Sequence, residues 1–134
     1  MEDCIFCKII KGDIPSTKVY EDEDVLAFLD IAPVNVGHTL IVPKEHFRNA
    51  LMTPDDKIMD IFKVGKKIAE ALRANGAEGI NITLNNERAS GQTVFHTHLH
   101  IIPRFENDGH NPWNQKSYKD NEAGEVARKI IAKL

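Results

Sequence analysis

Between Val94 and Pro103 three of the chain's six histidines, His96, His98 and His100, recur at every second position. In an extended strand, residues at i, i+2 and i+4 point to one face. The spacing therefore predicts a strand over 94–103 with three imidazoles on one face and Phe95, Leu99 and Ile101 on the other. A histidine-lined face backed by apolar residues is a working surface mounted on a core. Imidazole serves as nucleophile, acid, base or metal ligand near neutral pH.

The segments around this strand read as its scaffold. Lys8 to Pro15 reads as a short element and a turn, and Val19-Tyr20-Glu21 as a short strand. Val25 to Ile31 is rich in strand formers and closes at Pro33. His38 to Val42 forms a second run, opened by Gly37 and ended by Pro43, placed to pair antiparallel with the first. Thr53-Pro54-Asp55-Asp56 predicts a helix start, with Thr53 as N-cap and Pro54 at N1. Ile58, Ile61, Phe62, Gly65, Ile68, Ala69 and Leu72 follow helical spacing until Asn75-Gly76. Gly65 inside that helix costs about 1 kcal/mol against Ala, which close packing on a sheet or a second subunit, or simple tolerance, would explain. Gly79 to Asn85 alternates as a strand and Asn86 to Gln92 is a polar loop. Phe105 to Lys119 is irregular, with Gly109 and Pro112. Glu122 to Leu134 is a terminal helix with Val126, Ala127, Ile130, Ile131 and Leu134 on one face. Strands pairing in sequence order, with one long and one C-terminal helix, predict an α+β domain on an antiparallel sheet of about five strands, spanning 1–134.

With 134 residues, 42% of them hydrophobic and 28% charged, the chain has the make-up of a single globular domain. A net charge of −3 and no dense Lys/Arg run exclude a general grip on nucleic acid. No apolar run approaches the ~18 residues of a membrane span, and the acidic start Met1-Glu2-Asp3-Cys4 lacks a signal peptide's apolar stretch. The chain reads as cytoplasmic. In that compartment the Cys4-x-x-Cys7 pair reads as metal ligands or a redox pair rather than a disulfide. Two ligands are too few for a structural zinc, and His46 and His96 are candidate partners that tertiary folding would have to bring in.

The run His96-Thr97-His98-Leu99-His100-Ile101-Ile102 resembles the signature of the histidine triad (HIT) family, His-φ-His-φ-His-φ-φ with φ hydrophobic. Thr97 departs from the strict pattern. Ile5-Phe6-Cys7-Lys8-Ile9-Ile10, Ile14-Pro15, Ala27-Phe28-Leu29-Asp30-Ile31 and Gly37-His38-Thr39-Leu40-Ile41-Val42-Pro43-Lys44 resemble further family segments in the family's order, so the resemblance covers residues 4 to about 104.

The resemblance implies a nucleotide-binding protein that attacks an α-phosphorus, with His98 as nucleophile and a covalent nucleotidyl-histidine intermediate. By family position His100 would hydrogen-bond near the phosphate, with Thr93 contacting the phosphate or leaving atom. Gly91 and Gln92 would bring backbone N–H groups to phosphate oxygens, and His38 would hold the histidine network. Asp30 would accept from the ribose hydroxyls, and Phe6, Phe28, Ile31 and Leu40 would form the base pocket, although ordinary core roles account for these four as well. Asn85 would face the same pocket, or serve only as a turn residue. Some family members with Cys-x-x-Cys bind zinc through positions matching Cys4, Cys7, His46 and His96, which implies one structural zinc per chain and withdraws His96 from proton transfer. The family also implies a homodimer joined through the long helix and a central strand, with one continuous sheet across the two chains. Trp113 would pack near a nucleotide site, its own chain's or a partner's, or anchor a loop.

Three activities fit the resemblance. The segments around Phe6, Asp30 and His38 look like the Hint branch, which hydrolyses purine nucleoside phosphoramidates. Gly91-Gln92-Thr93 resembles the branch that cleaves dinucleoside polyphosphates. A nucleotide-binding regulator with little catalysis would use the same pocket.

Overall fold

The computed structural model describes residues 3–111 and 113–134. The acidic start at Met1-Glu2 and the Pro112 break lie outside the described residues. The elements in chain order are α1 (Ile5–Lys11), β1 (Lys18–Glu21), β2 (Val25–Leu29), β3 (Thr39–Pro43), α2 (Asp55–Ala74), β4 (Gly79–Thr83), β5 (Leu99–Arg104) and α3 (Glu122–Ile131). The sheet is five-stranded and antiparallel, in the order β1-β2-β3-β5-β4. The expected pairing in sequence order therefore holds only through β3. β5 inserts between β3 and β4, which puts the histidine-bearing strand inside the sheet and leaves β4 at its edge.

Alternation along the inner strands sorts their side chains onto two faces. Val25, Ala27, Ile41, Leu99 and Ile101 pack with Ile61 and Val64 of α2. Leu26, Phe28, Leu40 and Val42 pack with Phe6 and Ile9 of α1 on the opposite face. The sheet is thus a wall between a purely structural core and a second, thinner core topped by a short helix. His100 pairs across to Leu40, so it belongs to the α1 face.

Two further expectations are corrected. The histidine strand begins at Leu99 rather than Val94, and residues 94–98 are irregular. The cause is a tertiary pull on Thr97: its N–H donates to the Phe47 carbonyl at 2.8 Å, and its hydroxyl lies 2.7 Å from that of Thr53. Thr53, for its part, is not the cap of α2. It is buried and donates to the Asn49 carbonyl at 2.7 Å, and α2 starts behind Pro54 without a side-chain cap. The terminal helix forms as expected, but its apolar face stands outside the core: no residue of α3 is buried, and Ile130, Ile131 and Leu134 are exposed.

Two glycines are required by geometry. Gly37 adopts φ +103° in the turn that reverses the chain into His38. Gly65 lies where α2 crosses the sheet, and a Cβ there would sit 2.8 Å from Leu99 Cδ2, 3.2 Å from Ile101 Cδ1 and 3.3 Å from Ile41 Cδ1. Close packing on the sheet, rather than tolerance, explains it. Ala would recover about 1 kcal/mol of helix propensity but would overpack three fully buried side chains, at about 1–3 kcal/mol. Gly65→Ala is expected to lower stability by about 1 kcal/mol and Gly65→Val by more, measured by urea unfolding; a stabilised Gly65→Ala would show that the contact has slack.

Candidate active site and metal cluster

The α1 face of the sheet carries a cavity of about 260 Å³. Phe6, Phe28, Leu40 and Ile31 line it on the apolar side, with Asp30, Thr93, His98 and His100 at the polar end. Eight of the expected binding residues are therefore brought together. Phe6 stands edge-on to Phe28 (5.5 Å between centroids) and to His98 (5.1 Å), so the wall from α1 touches both the apolar floor and the His98 ring. Phe6, Phe28 and Leu40 are buried, whereas Ile31 is 96% exposed and forms only the rim. Ile9, Ile14 and Val94 also line the cavity. The three-residue spacing of Phe6 and Ile9 on a helix was the signal for Ile9.

The histidines are ordered by their hydrogen bonds. His98 Nδ1 lies 2.7 Å from the His96 carbonyl, which can only accept, so Nδ1 carries the proton and the Nε2 lone pair is free. Burial pushes the pKa of His98 below that of an ordinary histidine, so the ring is neutral and nucleophilic at pH 7. His100 is held down to about 4, chiefly by burial and then by His98 and His38. His38 is buried behind the cavity, and burial lowers its pKa against the opposing pull of Asp30. Its Nε2 is 2.9 Å from His100 Nδ1 but 3.7 Å from Asp30 Oδ2, so its polar partner is His100 and not the carboxylate. One Asp30 oxygen, Oδ1, takes the Ala32 N–H at 2.9 Å.

Three expected ligands of the nucleotide stand elsewhere. The buried Gln92 side chain is a structural latch: its Oε1 accepts from Glu87 N–H at 2.7 Å, and its Nε2 donates to the carbonyls of Arg48 (2.7 Å) and Val94 (3.1 Å). The backbone N–H groups of Gly91 and Gln92 donate to Arg88 and Glu87 carbonyls within the loop, so neither is a free donor as the loop stands. Asn85 does not reach the Phe6–Asp30 cavity. It lines a separate cavity of about 360 Å³ with Thr83, Ser90 and the exposed Trp113.

His96 is turned away from the other two histidines. Its Nε2–H donates to the Pro43 carbonyl at 2.8 Å, which leaves the Nδ1 lone pair for the opposite side. There Cys4, Cys7 and His46 converge, with all four ligand atoms within 4.8 Å of one another. His96 Nδ1 is 3.2 Å from His46 Nδ1, 3.4 Å from Cys4 Sγ and 3.6 Å from Cys7 Sγ, and Cys7 Sγ is 3.4 Å from His46 Nδ1. A tetrahedron with zinc–sulfur and zinc–nitrogen bonds of usual length has edges of about 3.6 Å (S to N) and about 3.3 Å (N to N). The donor set and its edges fit that ion. Cys4 also begins α1, its sulfur accepting from Cys7 N–H at 3.4 Å. Burial and the adjacent Cys4 push the Cys7 thiol up, and a bound dication is what would return it to thiolate.

The sheet and helices that position these side chains have counterparts in known proteins. Residues 11–107 match the family described as HIT domain. An uncharacterized HIT-like protein of Methanocaldococcus jannaschii is 57% identical over 106 residues, covering 79% of this chain and 82% of the relative. An adenosine 5'-monophosphoramidase of Schizosaccharomyces pombe is 48% identical over 101 residues, covering 75% of this chain and 74% of the relative. An adenylylsulfatase of Arabidopsis thaliana is 44% identical over 107 residues, 79% of this chain and 54% of that protein. Among solved structures, a HIT family member from Bacillus subtilis superposes with a TM-score of 0.89 at 45% identity, covering 98% of this chain and 97% of the other. A zinc-bound histidine triad family protein from Mycobacterium smegmatis superposes with a TM-score of 0.78 at 39% identity, covering 99% and 96%. With the triad, the sheet and these relatives in agreement, the chain belongs to the HIT domain family.

Proposed function

We propose that this protein hydrolyses purine nucleoside phosphoramidates or related nucleotidyl conjugates through a covalent nucleotidyl-His98. The observation that carries the reading is the 2.7 Å contact of His98 Nδ1 with the His96 carbonyl, which leaves Nε2 as a neutral nucleophile in a ring that lines the cavity. Nε2 forms a bond to the α-phosphorus as the bond to the leaving nitrogen breaks. The electron pair leaves with the amine, which takes up a proton from solvent. Water then attacks phosphorus and gives up a proton to solvent, the P–Nε2 bond breaks, and the pair returns to His98. Phe6, Phe28 and Leu40 hold the base, and Asp30 accepts from the ribose. Two relatives with named activities, the phosphoramidase and the adenylylsulfatase, support the adenylyl group as the part of the substrate retained.

The charge of the cavity supports a phosphoramidate over a dinucleoside polyphosphate. Asp30 is its one carboxylate, and none of the described lining residues is Lys or Arg. A chain of several phosphates would enter without a counter-charge, whereas a single phosphoryl group needs only N–H donors.

Cys4, Cys7, His46 and His96 are the residues that would hold one zinc per chain. With four protein ligands and no open position, the ion would supply a structural cross-link. Bound there, it would tie α1, and with it Phe6, to the segment that carries His98. Among the described residues no helix is long and apolar enough to cross a membrane. A homodimer is supported by exposed Ile82 on edge strand β4 together with exposed Met59 and Phe62 on α2, all outside the core of one chain. A partner's edge strand would extend the sheet and cover this side.

Three outcomes follow. With an adenosine phosphoramidate, acid quench traps an adenylyl group on the parent protein, and His98→Ala loses turnover by at least about 10³-fold; parent-level turnover in that variant refutes the mechanism. Elemental analysis finds about one zinc per chain, and Cys4→Ser loses the metal and about 2 kcal/mol or more of stability; metal-free parent protein of unchanged stability would remove the zinc assignment. Light scattering gives about twice the chain mass of 15.1 kDa, and Phe62→Glu with Ile82→Glu gives monomer. A parent protein that runs as monomer at micromolar concentration would overturn the dimer.

A further inference from the structure

The turn between β2 and β3 holds a chain of hydrogen bonds that ends at the cavity. Val34 N–H donates to His38 Nδ1 at 3.1 Å. A nitrogen that accepts has no proton, so neutral His38 carries its proton on Nε2. That nitrogen is 2.9 Å from His100 Nδ1, which must then be the acceptor. Neutral His100 is left with its proton on Nε2, the nitrogen not used by His38. Asp30, His38 and His100 also bring ligand atoms within 4.8 Å of one another. A cation there would need the His38 Nε2 lone pair, which the Val34 contact removes, so the cluster is a proton-ordered relay and not a metal site.

What fixes Val34 is the turn after β5. Asn35 Nδ2 donates to the Pro103 carbonyl and to Asp108 Oδ2, both at 2.9 Å. Asn35 also closes the turn, its carbonyl accepting from His38 N–H at 3.0 Å. His110 Nε2–H donates to the Val34 carbonyl at 3.0 Å. Asp108 is itself locked by a two-pronged pair with Arg104, at 2.7 and 2.9 Å, which holds its carboxyl well below the usual carboxylate range. None of these residues lines the Phe6–Asp30 cavity.

We propose that Asn35 is a positioning residue: with His110 and the Arg104–Asp108 pair, it holds Val34 N–H on His38 and thereby fixes His100 as an Nε2–H donor toward the cavity. Without the brace the pair can invert. His38 would then carry its proton on Nδ1, His100 would donate from Nδ1, and His100 would turn a bare lone pair toward an anionic phosphoryl group. The catalytic value of the brace rests on the function proposed above, but the tautomers do not.

Long-range nitrogen–proton correlation on the resting, metal-loaded protein reads the rings directly. His38 and His100 are each expected to show a bare Nδ1 and a protonated Nε2. In Asn35→Ala both rings are expected to change to exchange-averaged nitrogen shifts while His98, bonded to the His96 carbonyl, keeps its Nδ1 proton. His110→Ala follows Asn35→Ala, and His110→Gln, whose amide N–H can replace the imidazole donor, keeps the parent pattern. With a nucleoside phosphoramidate, kcat in Asn35→Ala falls by about threefold or more and KM stays within about twofold, the pattern of a lost transition-state contact. An Nδ1–H tautomer at His100 in the parent, or parent-like rings in Asn35→Ala, overturns the proposal. Correct tautomers in a parent protein that does not turn over phosphoramidates would overturn the function and leave the brace standing.

Discussion

The hydrogen bond from His96 Nε2 to the Pro43 carbonyl, 2.8 Å long and fully buried, is the contact on which the rest of the site depends. It seals the end of β3, where an unpaired buried carbonyl would cost about 1–3 kcal/mol. It also decides what each side of the ring can do. With Nε2 committed to β3, Nδ1 faces Cys4, Cys7 and His46, and the main-chain carbonyl of the same residue takes the proton of His98 Nδ1. One residue thus joins the strand end, the Cys4–Cys7–His46 cluster and His98. Its own basicity is sacrificed: burial holds His96 down to about 4, so it is no proton donor at neutral pH.

Much of the fold was legible because burial and alternation coincide. Val25 and Ala27 go to α2 while Leu26 and Phe28 go to α1, as a period of two requires, and the same rule puts Leu99 and Ile101 opposite His100. The pattern failed just before Leu99. His96 and His98 keep the spacing of a strand, but the pull of Phe47 and Thr53 on Thr97 breaks the ladder there. No local propensity signals that pull, because both partners are about 50 residues away in sequence. The capping role expected of Thr53 failed for the same reason, since its hydroxyl serves tertiary contacts instead.

The candidate site was legible where side-chain type alone dictates chemistry. Two cysteines and two histidines were expected to meet as sulfur and nitrogen ligands, and the fold brings them together; apolar rings and a carboxylate were expected to share one pocket, and they do. The positions that the structure places away from the expected pocket are those whose role depends on which partner a versatile group finds. Gln92 has donors and an acceptor, and the loop uses all of them on Glu87, Arg48 and Val94. Asn85 was assigned by its place at a strand end, yet the fold turns it toward Trp113. Asn35 left no trace in the sequence beyond a turn-forming residue near a proline, since its partners Pro103 and Asp108 arrive from the far end of the chain.

One rule organises the four buried or half-buried histidines of the site. Each gives one ring nitrogen to the protein interior and so fixes what the other nitrogen is. His96 donates to Pro43 and keeps a lone pair for the cluster; His98 donates to His96 and keeps a lone pair for the cavity. His38 accepts from Val34 and is left a donor, which makes His100 an acceptor on one side and a donor on the other. Burial enforces the rule by keeping all four rings neutral, since a protonated imidazole donates from both nitrogens and would break each assignment. A neutral ring with a free lone pair and a neutral ring with a free N–H can then stand side by side, with the His98 and His100 centroids 4.9 Å apart, without the repulsion that two imidazolium ions would suffer. The division of donor and acceptor nitrogens among these rings follows from where the backbone puts two carbonyls and one amide.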